Sequence, residues 1–307
     1  MDKISPSAVT GDENRAGLFF GLTAFGIWAL FPLYWERLDH VDAVEILAHR
    51  ALWTAPICAL VLAYNRELRE AFKVFRQPRT LALLALSMAM ISFNWGVYIW
   101  SVTHGEVLQA SMGYFLNPLV NVLAGLTLFR EKLRLGQWFA VGLAATGVVY
   151  AGFAFDTFPW IGVSLAVTFG AYGALRKMVT VSAVPGLFVE TLLILPFALG
   201  YMLWLYQTGT GQFLVGDLST DLLLLGAGIM TAVPLLCYVA AARRLPISTV
   251  GMLFYITPSG LFILATTLYG ETVTVSDMIT FGFIWAGLIL FTFERQRHAR
   301  RLRETAV

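Results

Sequence analysis

Charge is what this sequence has least of. Acidic and basic side chains make up 13% of its 307 residues while hydrophobic ones make up 58%, against about 25% charged and 45–50% apolar in soluble domains. That shortage excludes a water-soluble globule, because no interior could hide so much apolar surface. Cysteine is scarce too. Cys58 and Cys237 each stand alone in an apolar run, a placement that suits packing and excludes a disulfide framework or a thiolate metal site. The four histidines, His40, His49, His104 and His298, are scattered, and neither HExxH nor GxSG occurs. An intramembrane enzyme would need such a metal cluster or nucleophile–base pair at membrane depth, so the expectation is a non-enzyme with no cofactor and no metal. A net charge of +2 without a basic stripe excludes nucleic acid as a partner. The opening MDKISPSAVTGDEN lacks the apolar core of a cleavable signal. Residues 1–15 are therefore expected to be a short, disordered cytoplasmic tail, with insertion led by the first span itself.

What the chain has in abundance is apolar runs long enough to cross a bilayer, which takes about 20 helical residues. Ten qualify, at approximately 16–35, 43–64, 80–102, 106–129, 134–152, 158–175, 186–206, 221–242, 247–269 and 273–293. Their connections leave no room for a soluble domain, the longest being 65–79 and 207–220. Lysine and arginine in short loops stay on the cytoplasmic side. With the N-terminus inside, nineteen of the 21 basic residues fall on inner segments, among them Arg66, Arg69, Lys73, Arg76 and Arg79 in one loop and Arg130, Lys132 and Arg134 in another. Only Arg37 falls outside and only Arg50 within a span, whereas the outer loops carry Asp39, Asp42, Asp156, Asp217, Asp221, Glu271 and Asp277. Both termini are thus expected in the cytoplasm, with a basic tail over 294–307.

Shifting the chain against itself by 140 residues sets Asn117-Pro118 on Thr257-Pro258, Tyr98 on Tyr238, Glu131 on Glu271, Gly142 on Gly282 and Gly147 on Gly287. A shift of 144 sets Phe25-Gly26 and Trp28 on Phe169-Gly170 and Tyr172. The reading is two five-helix repeats, 16–152 and 153–293. Five being odd, the second enters the membrane from the opposite face. An all-α fold of two inverted-topology halves is a common frame for alternating access around a midplane site, so transport is the leading class. A structural or sensory membrane protein that moves nothing remains the other.

Polar residues inside spans are costly, about 2.5–3.5 kcal/mol for a central charge on insertion scales, and need a reason. The second span opens DAVEILAHRALW over 42–53. Asp42, Glu45, His49 and Arg50 fall within an arc of roughly 140° at helical spacing, where Glu45 and Arg50 can neutralise each other and His49 can titrate. The segment reads either as a substrate or proton site near the outer mouth or as a structural ion pair near the interface. Glu190 in the seventh span reads as an interface residue or a gate. Helix breakers recur at matched depths: Asn94 and Pro234, then Asn117-Pro118 and Thr257-Pro258. Paired breaks free backbone groups and mark a candidate site, although a packing kink explains any single proline. Trp28, Trp95, Tyr98, Tyr114, Tyr172, Tyr238 and Tyr255 could line a pocket for an apolar, aromatic or cationic solute, or simply pack. Tyr34, Trp35, Trp160, Trp204 and Tyr206 fit an interfacial belt. Gly17 and Gly21 in GLFFG have the spacing for close helix contact.

The segments EILAHR at 45–50, NWGVYIW at 94–100, GYFLNPLVN at 113–121, VPLLCYVAAARRL at 233–245 and FYITP at 254–258 together resemble the RarD group. That group lies in the EamA branch of the drug/metabolite transporter (DMT) superfamily. The resemblance covers about 16–293 and implies a multi-pass permease of the bacterial cell inner membrane, working by alternating access and exporting small organic metabolites or drugs. It carries no defined set of functional residues. The partners expected are the lipid bilayer and a small-molecule substrate, with protons a candidate through His49 and Glu45, and the oligomeric state open. No ATP-binding motif occurs in the sequence. The expected pocket lies between the first four helices and helices six to nine.

Overall fold

In a medium that offers no hydrogen-bond partners, an apolar run satisfies its backbone by coiling into a helix. The computed structural model of the chain describes residues 11–128, 135–154, 158–245, 250 and 253–304, and among these the regular structure is helical. The helices are α1 (Gly11–Ala29), α2 (Phe31–Trp35), α3 (Ala43–Tyr64), α4 (Leu68–Lys73), α5 (Pro78–Thr103), α6 (Val107–Leu128), α7 (Leu135–Ala154), α8 (Trp160–Lys177), α9 (Ala183–Thr208), α10 (Leu218–Arg244), α11 (Ile256–Thr267) and α12 (Val275–Glu304). Among the described residues six helical stretches are long and apolar enough to cross a membrane: Ala43–Tyr64, Pro78–Thr103, Leu135–Phe153, Ala183–Thr208, Leu218–Ala242 and Val275–Glu294. A bent pair, Glu13–Ala29 with Phe31–Leu38, makes a seventh. Helices α6 and α8 occupy the fourth and sixth expected spans, and α11 occupies part of the ninth. Lys3, the loop with Arg130, Glu131, Lys132 and Arg134, and Asp156 lie outside the described residues, as do the side chains of Pro118, Arg243, Arg295, His298, Arg300, Arg301 and Arg303.

Three boundaries differ from the expected ones. The first span is broken, α1 and α2 meeting at 48°. Pro32 sits in the first turn of α2. It has no N–H to give the carbonyl one turn back, so the ladder stops and restarts there. The connection 65–79 folds into α4 and a 3-10 turn, Val74–Arg76, with Lys73 paired to Glu70. The last helix runs on through Glu304, well into the basic tail.

Large apolar side chains such as Phe19, Leu60, Phe153, Phe197 and Ile289 are exposed, while Glu45, His49, Arg50, Asn94, Asn117 and Glu190 are buried. That is the arrangement of a protein solvated by lipid.

The chain divides into two compact units, one of residues 1–77 and 181–261, the other of 78–180 and 262–307. These do not coincide with the halves 16–152 and 153–293; each takes helices from both. In the first unit α1 packs along α10, and α3 along α9 and α10. Small residues set the crossings. A Cβ on Gly17 would fall 2.8 Å from Leu245, on Gly21 2.6 Å from Leu253, and on Gly228 2.5 Å from Trp53. In the second unit α5 and α6 pack along α8, and α7 along α12. There, a Cβ on Gly113 would meet the Gly162 carbonyl at 2.6 Å, so α6 and α8 touch backbone to backbone.

Candidate solute-binding site

In the first unit the buried charges sit on α3. Asp42 is its N-cap, accepting the Val44 N–H at 2.8 Å. It is therefore a helix start rather than part of the site. Glu45 lies one turn inside and accepts backbone N–H groups of Gln212 at 2.8 Å and Phe213 at 3.3 Å. The α9–α10 connection, which turns through left-handed Gly209, Leu214 and Gly216, is thus fastened onto α3. His49 accepts from the Trp53 indole N–H at Nδ1, 3.0 Å away, and the Phe213 ring lies edge-on at 4.6 Å. A neutral ring so held carries its proton on Nε2. That atom is buried without a hydrogen-bond partner among the described residues. Arg50 donates from Nε to the Thr231 hydroxyl at 3.1 Å and stands over the Trp35 ring at 5.0 Å. The contacts described for Glu45 run to the α9–α10 loop and those described for Arg50 to α10 and α2. Trp35, expected in an interfacial belt, is fully buried. Trp160, Trp204 and Tyr206 are exposed as that belt requires.

The aromatic candidates form two clusters, one per unit. In the first, Phe25 makes edge contacts with Trp28 (5.5 Å), Tyr238 (6.0 Å) and Phe254 (5.9 Å), and Trp28 meets Tyr238 at 5.9 Å. Thr257 donates to the Phe25 carbonyl at 3.1 Å. Tyr255 is half-buried in the turn leading into α11. In the second unit, Phe169 contacts Tyr114 (6.2 Å) and Tyr172 (6.1 Å), and Tyr114 meets Tyr98 at 5.7 Å. Asn94 donates to the Leu165 carbonyl and the Thr168 hydroxyl, both at 2.9 Å, which ties α5 to α8. Trp95 is half-buried beside it. Asn117 is 1% exposed, and neither its amide nitrogen nor its oxygen has a hydrogen-bond partner among the described residues. Glu190 is buried two turns into α9, the helix that packs along α3.

The two clusters correspond position by position. Phe25, Trp28, Tyr238 and Phe254 stand to Phe169, Tyr172, Tyr98 and Tyr114 at the sequence shifts of 144 and 140. Phe25–Trp28 matches Phe169–Tyr172, and Phe25–Phe254 matches Phe169–Tyr114. Phe254, Phe213 and Thr231 had no place among the candidates read from the sequence, and Trp35 stood only in the interfacial belt. The last was recoverable as the seventh residue after Trp28, whereas Phe213 and Thr231 carry no local signal. Among the described residues no group of three or more His, Cys, Asp or Glu could hold a metal ion.

Comparison with known proteins agrees with this architecture. Residues 15–153 match the model of the EamA-like transporter family. An uncharacterized transporter of Vibrio cholerae is 41% identical over 95% of this chain and 98% of its own length. Protein RarD of Escherichia coli is 38% identical over 94% and 98%, and the uncharacterized transporter YojE of Bacillus subtilis 39% over 94% and 97%. A protein known from its crystal structure shares the fold at a TM-score of 0.56 and 17% identity, over 91% of this chain and 98% of its own. The chain is a multi-pass membrane transporter and belongs to the RarD group of the EamA-type drug/metabolite transporter superfamily.

Proposed function

We propose that this protein is a secondary permease of the bacterial inner membrane that exports small organic metabolites or drugs by alternating access. In this reading ten spans form two inverted five-helix repeats, 16–152 and 153–293, with both termini cytoplasmic. The observation that carries it is the pair of matched aromatic clusters, since a duplicated ring set recurring in both compact units is what a duplicated gating or recognition element requires. A second correspondence supports it: a Cβ on Gly147 would meet the Thr280 carbonyl at 3.0 Å and one on Gly287 the Ala140 carbonyl at 2.7 Å. Each contact becomes the other under the shift of 140, as in an isologous pairing. Energy comes from a proton gradient or from the solute's own gradient.

The test is reconstitution. A metabolite screen comparing deletion and overexpressing cells supplies the solute, and proteoliposomes then measure its flux in wild type, Glu45→Gln, His49→Gln, Arg50→Ala, Tyr98→Ala and Tyr238→Ala. Both tyrosine variants are expected to lose most of the flux. Wild-type flux in the three α3 variants would remove α3 from the site, and an unchanged pH profile in the first two would remove the proton role. A protein that moves no solute at all sinks the transport mechanism.

A further inference from the structure

We infer that the connection after α3 carries a binding site for anionic phospholipid, with Arg66, Arg69, Lys73 and Arg76 on the phosphate of the headgroup and Phe72 and Phe75 against the hydrocarbon beneath it. The helices on either side of this connection, Ala43–Tyr64 and Pro78–Thr103, are both long and apolar enough to cross a membrane. Residues 65–77 therefore lie at a face of the bilayer, at headgroup depth. The turn out of α3 is tight. Arg66 takes the left-handed conformation (φ 60°), and its N–H and that of Glu67 donate to the Ala63 and Leu62 carbonyls. This helix-ending motif stops α3 and starts the chain in a new direction.

Helix α4 and the 3-10 turn after it are two-faced. Ala71 and Val74 are buried, whereas Arg69, Phe72, Lys73 and Arg76 are exposed and recur at the i, i+3, i+4 and i+7 spacing of one helix face. Phe72 is 51% exposed and Phe75 39%, although their rings meet at 6.2 Å and Phe72 meets Phe188 of α9 edge-on at 5.8 Å. Packing thus fixes the rings without covering them. Of the cations, Lys73 is paired to Glu70, while Arg66, Arg69 and Arg76 form no ion pair with a described residue.

Guanidinium groups beside uncovered aromatic rings at the membrane face match a molecule with a phosphodiester at one end and hydrocarbon at the other. The arginine fork takes two phosphate oxygens, and the rings lie against the chains. Free phosphate would leave the rings in water, and a zwitterionic headgroup would bring its own cation to the arginines. Four basic residues beside a span are enough to select anionic lipid. Because Phe72 rests on α9, a bound lipid also stabilises the first unit.

The experiment uses purified full-length protein in detergent and three probes: dioctanoyl phosphatidylglycerol, dioctanoyl phosphatidylcholine and glycerol phosphate. Thermal shift gives the affinities. The phosphatidylglycerol is expected to bind at least about tenfold tighter than the phosphatidylcholine, and glycerol phosphate, which lacks chains, to give no shift. Arg69→Gln and Arg76→Gln should each cut the phosphatidylglycerol affinity about fivefold, the worth of one cation at an anionic surface, and leave the phosphatidylcholine unchanged. Phe75→Ser should weaken both lipids, and Arg297→Gln, in the basic extension of α12, neither. A phosphatidylcholine that binds as well as the phosphatidylglycerol, or glycerol phosphate that binds as well as the lipid, overturns the inference. So does a preference that survives Arg69→Gln combined with Arg76→Gln, one that is lost in Arg297→Gln, or wild-type affinity for both lipids in Phe75→Ser. Since Arg69 and Arg76 are exposed, their variants keep the test standing if Phe75→Ser does not purify as a single species. The permease reading is tested apart, in proteoliposomes. Selective lipid binding with no flux of any solute keeps the site and removes transport, whereas flux with no lipid preference keeps transport and removes the site.

Discussion

Asn117 is buried with its amide unsatisfied, while Thr257, its counterpart at the shift of 140, closes onto the Phe25 carbonyl. An unmet buried polar group costs about 1–3 kcal/mol, and stability is commonly given up at functional positions. Asn117→Ala should therefore unfold in detergent at the same temperature as wild type or higher, yet transport more slowly. A clear fall in Tm would mean the amide is structural. Glu45 behaves in the opposite way. Glu45→Gln weakens two N–H···O bonds to the α9–α10 connection, so a loss of about 1–3 kcal/mol and faster proteolysis between residues 209 and 217 are expected. Protease protection equal to wild type would count against that fastening. At this scale the sequence exposes what is anomalous in place: a charge in an apolar run is visible at Glu45, His49 and Arg50. Their partners are invisible, because Gln212, Phe213 and Thr231 lie 167 to 181 residues away.

Helix ends and crossings carry their own tests. Glu271 spends both oxygens on the first N–H groups of α6, Val107 and Leu108, at 2.8 Å each. A carboxylate there complements the helix dipole. Burial nevertheless raises its pKa, with the two N–H bonds opposing and Glu106 and Asp277 adding to the rise. Asp217, the exposed N-cap of α10, is shifted down, chiefly by the Thr220 hydroxyl and then the Ser219 N–H. The signs follow from linkage. The Asp217 contribution is complete above the ordinary carboxylate range and lost as pH falls through its lowered value, so Asp217→Asn should flatten the acid limb of the Tm–pH curve. The Glu271 contribution is greatest below that range and declines as pH rises through its raised value, so Glu271→Gln should remove a decline there. An acid limb or a decline unchanged in the respective variant contradicts the assignment. The repeated glycines divide in the same way. Gly147 and Gly287 meet backbone across α7 and α12, while Gly142 and Gly282 have nothing within 4 Å. Gly147→Leu should cost about 1–3 kcal/mol by overpacking, and Gly142→Ala should be tolerated; equal Tm values would dismiss the crossing. Sequence matching alone ranked these glycines alike, since only the crossing geometry separates them. It also read the first span as continuous, because Pro32 falls near the membrane face where a break has no hydropathy signature.

For the whole molecule, the hydropathy runs and the loop charges made helix positions and a transporter class legible, and the motifs EILAHR and GYFLNPLVN named the family. The grouping of helices was not legible, since packing partners are set by long-range contact and not by adjacency. The orientation read from the basic loops has a direct check. In a background with Cys58→Ala and Cys237→Ala, Arg69→Cys should react with impermeant maleimide only from the cytoplasmic side and Thr210→Cys only from the outside. Labelling of both from one side would break the ten-span scheme.

The interleaving of the chain also sets an order of events during synthesis. Helix α3 enters the bilayer with Glu45 and Arg50 long before their partners exist, since Gln212 and Thr231 follow 167 and 181 residues later. At about 5–20 residues per second that is a wait on the order of 10–30 s. The nascent first unit must hold an arginine in lipid or at the translocon through that interval, while the whole segment Pro78–Thr180 is made. A ribosome stalled after residue 154 therefore presents α1 to α3 as unassembled, quality-control-sensitive helices, and only the arrival of α9 and α10 turns them into a folded body.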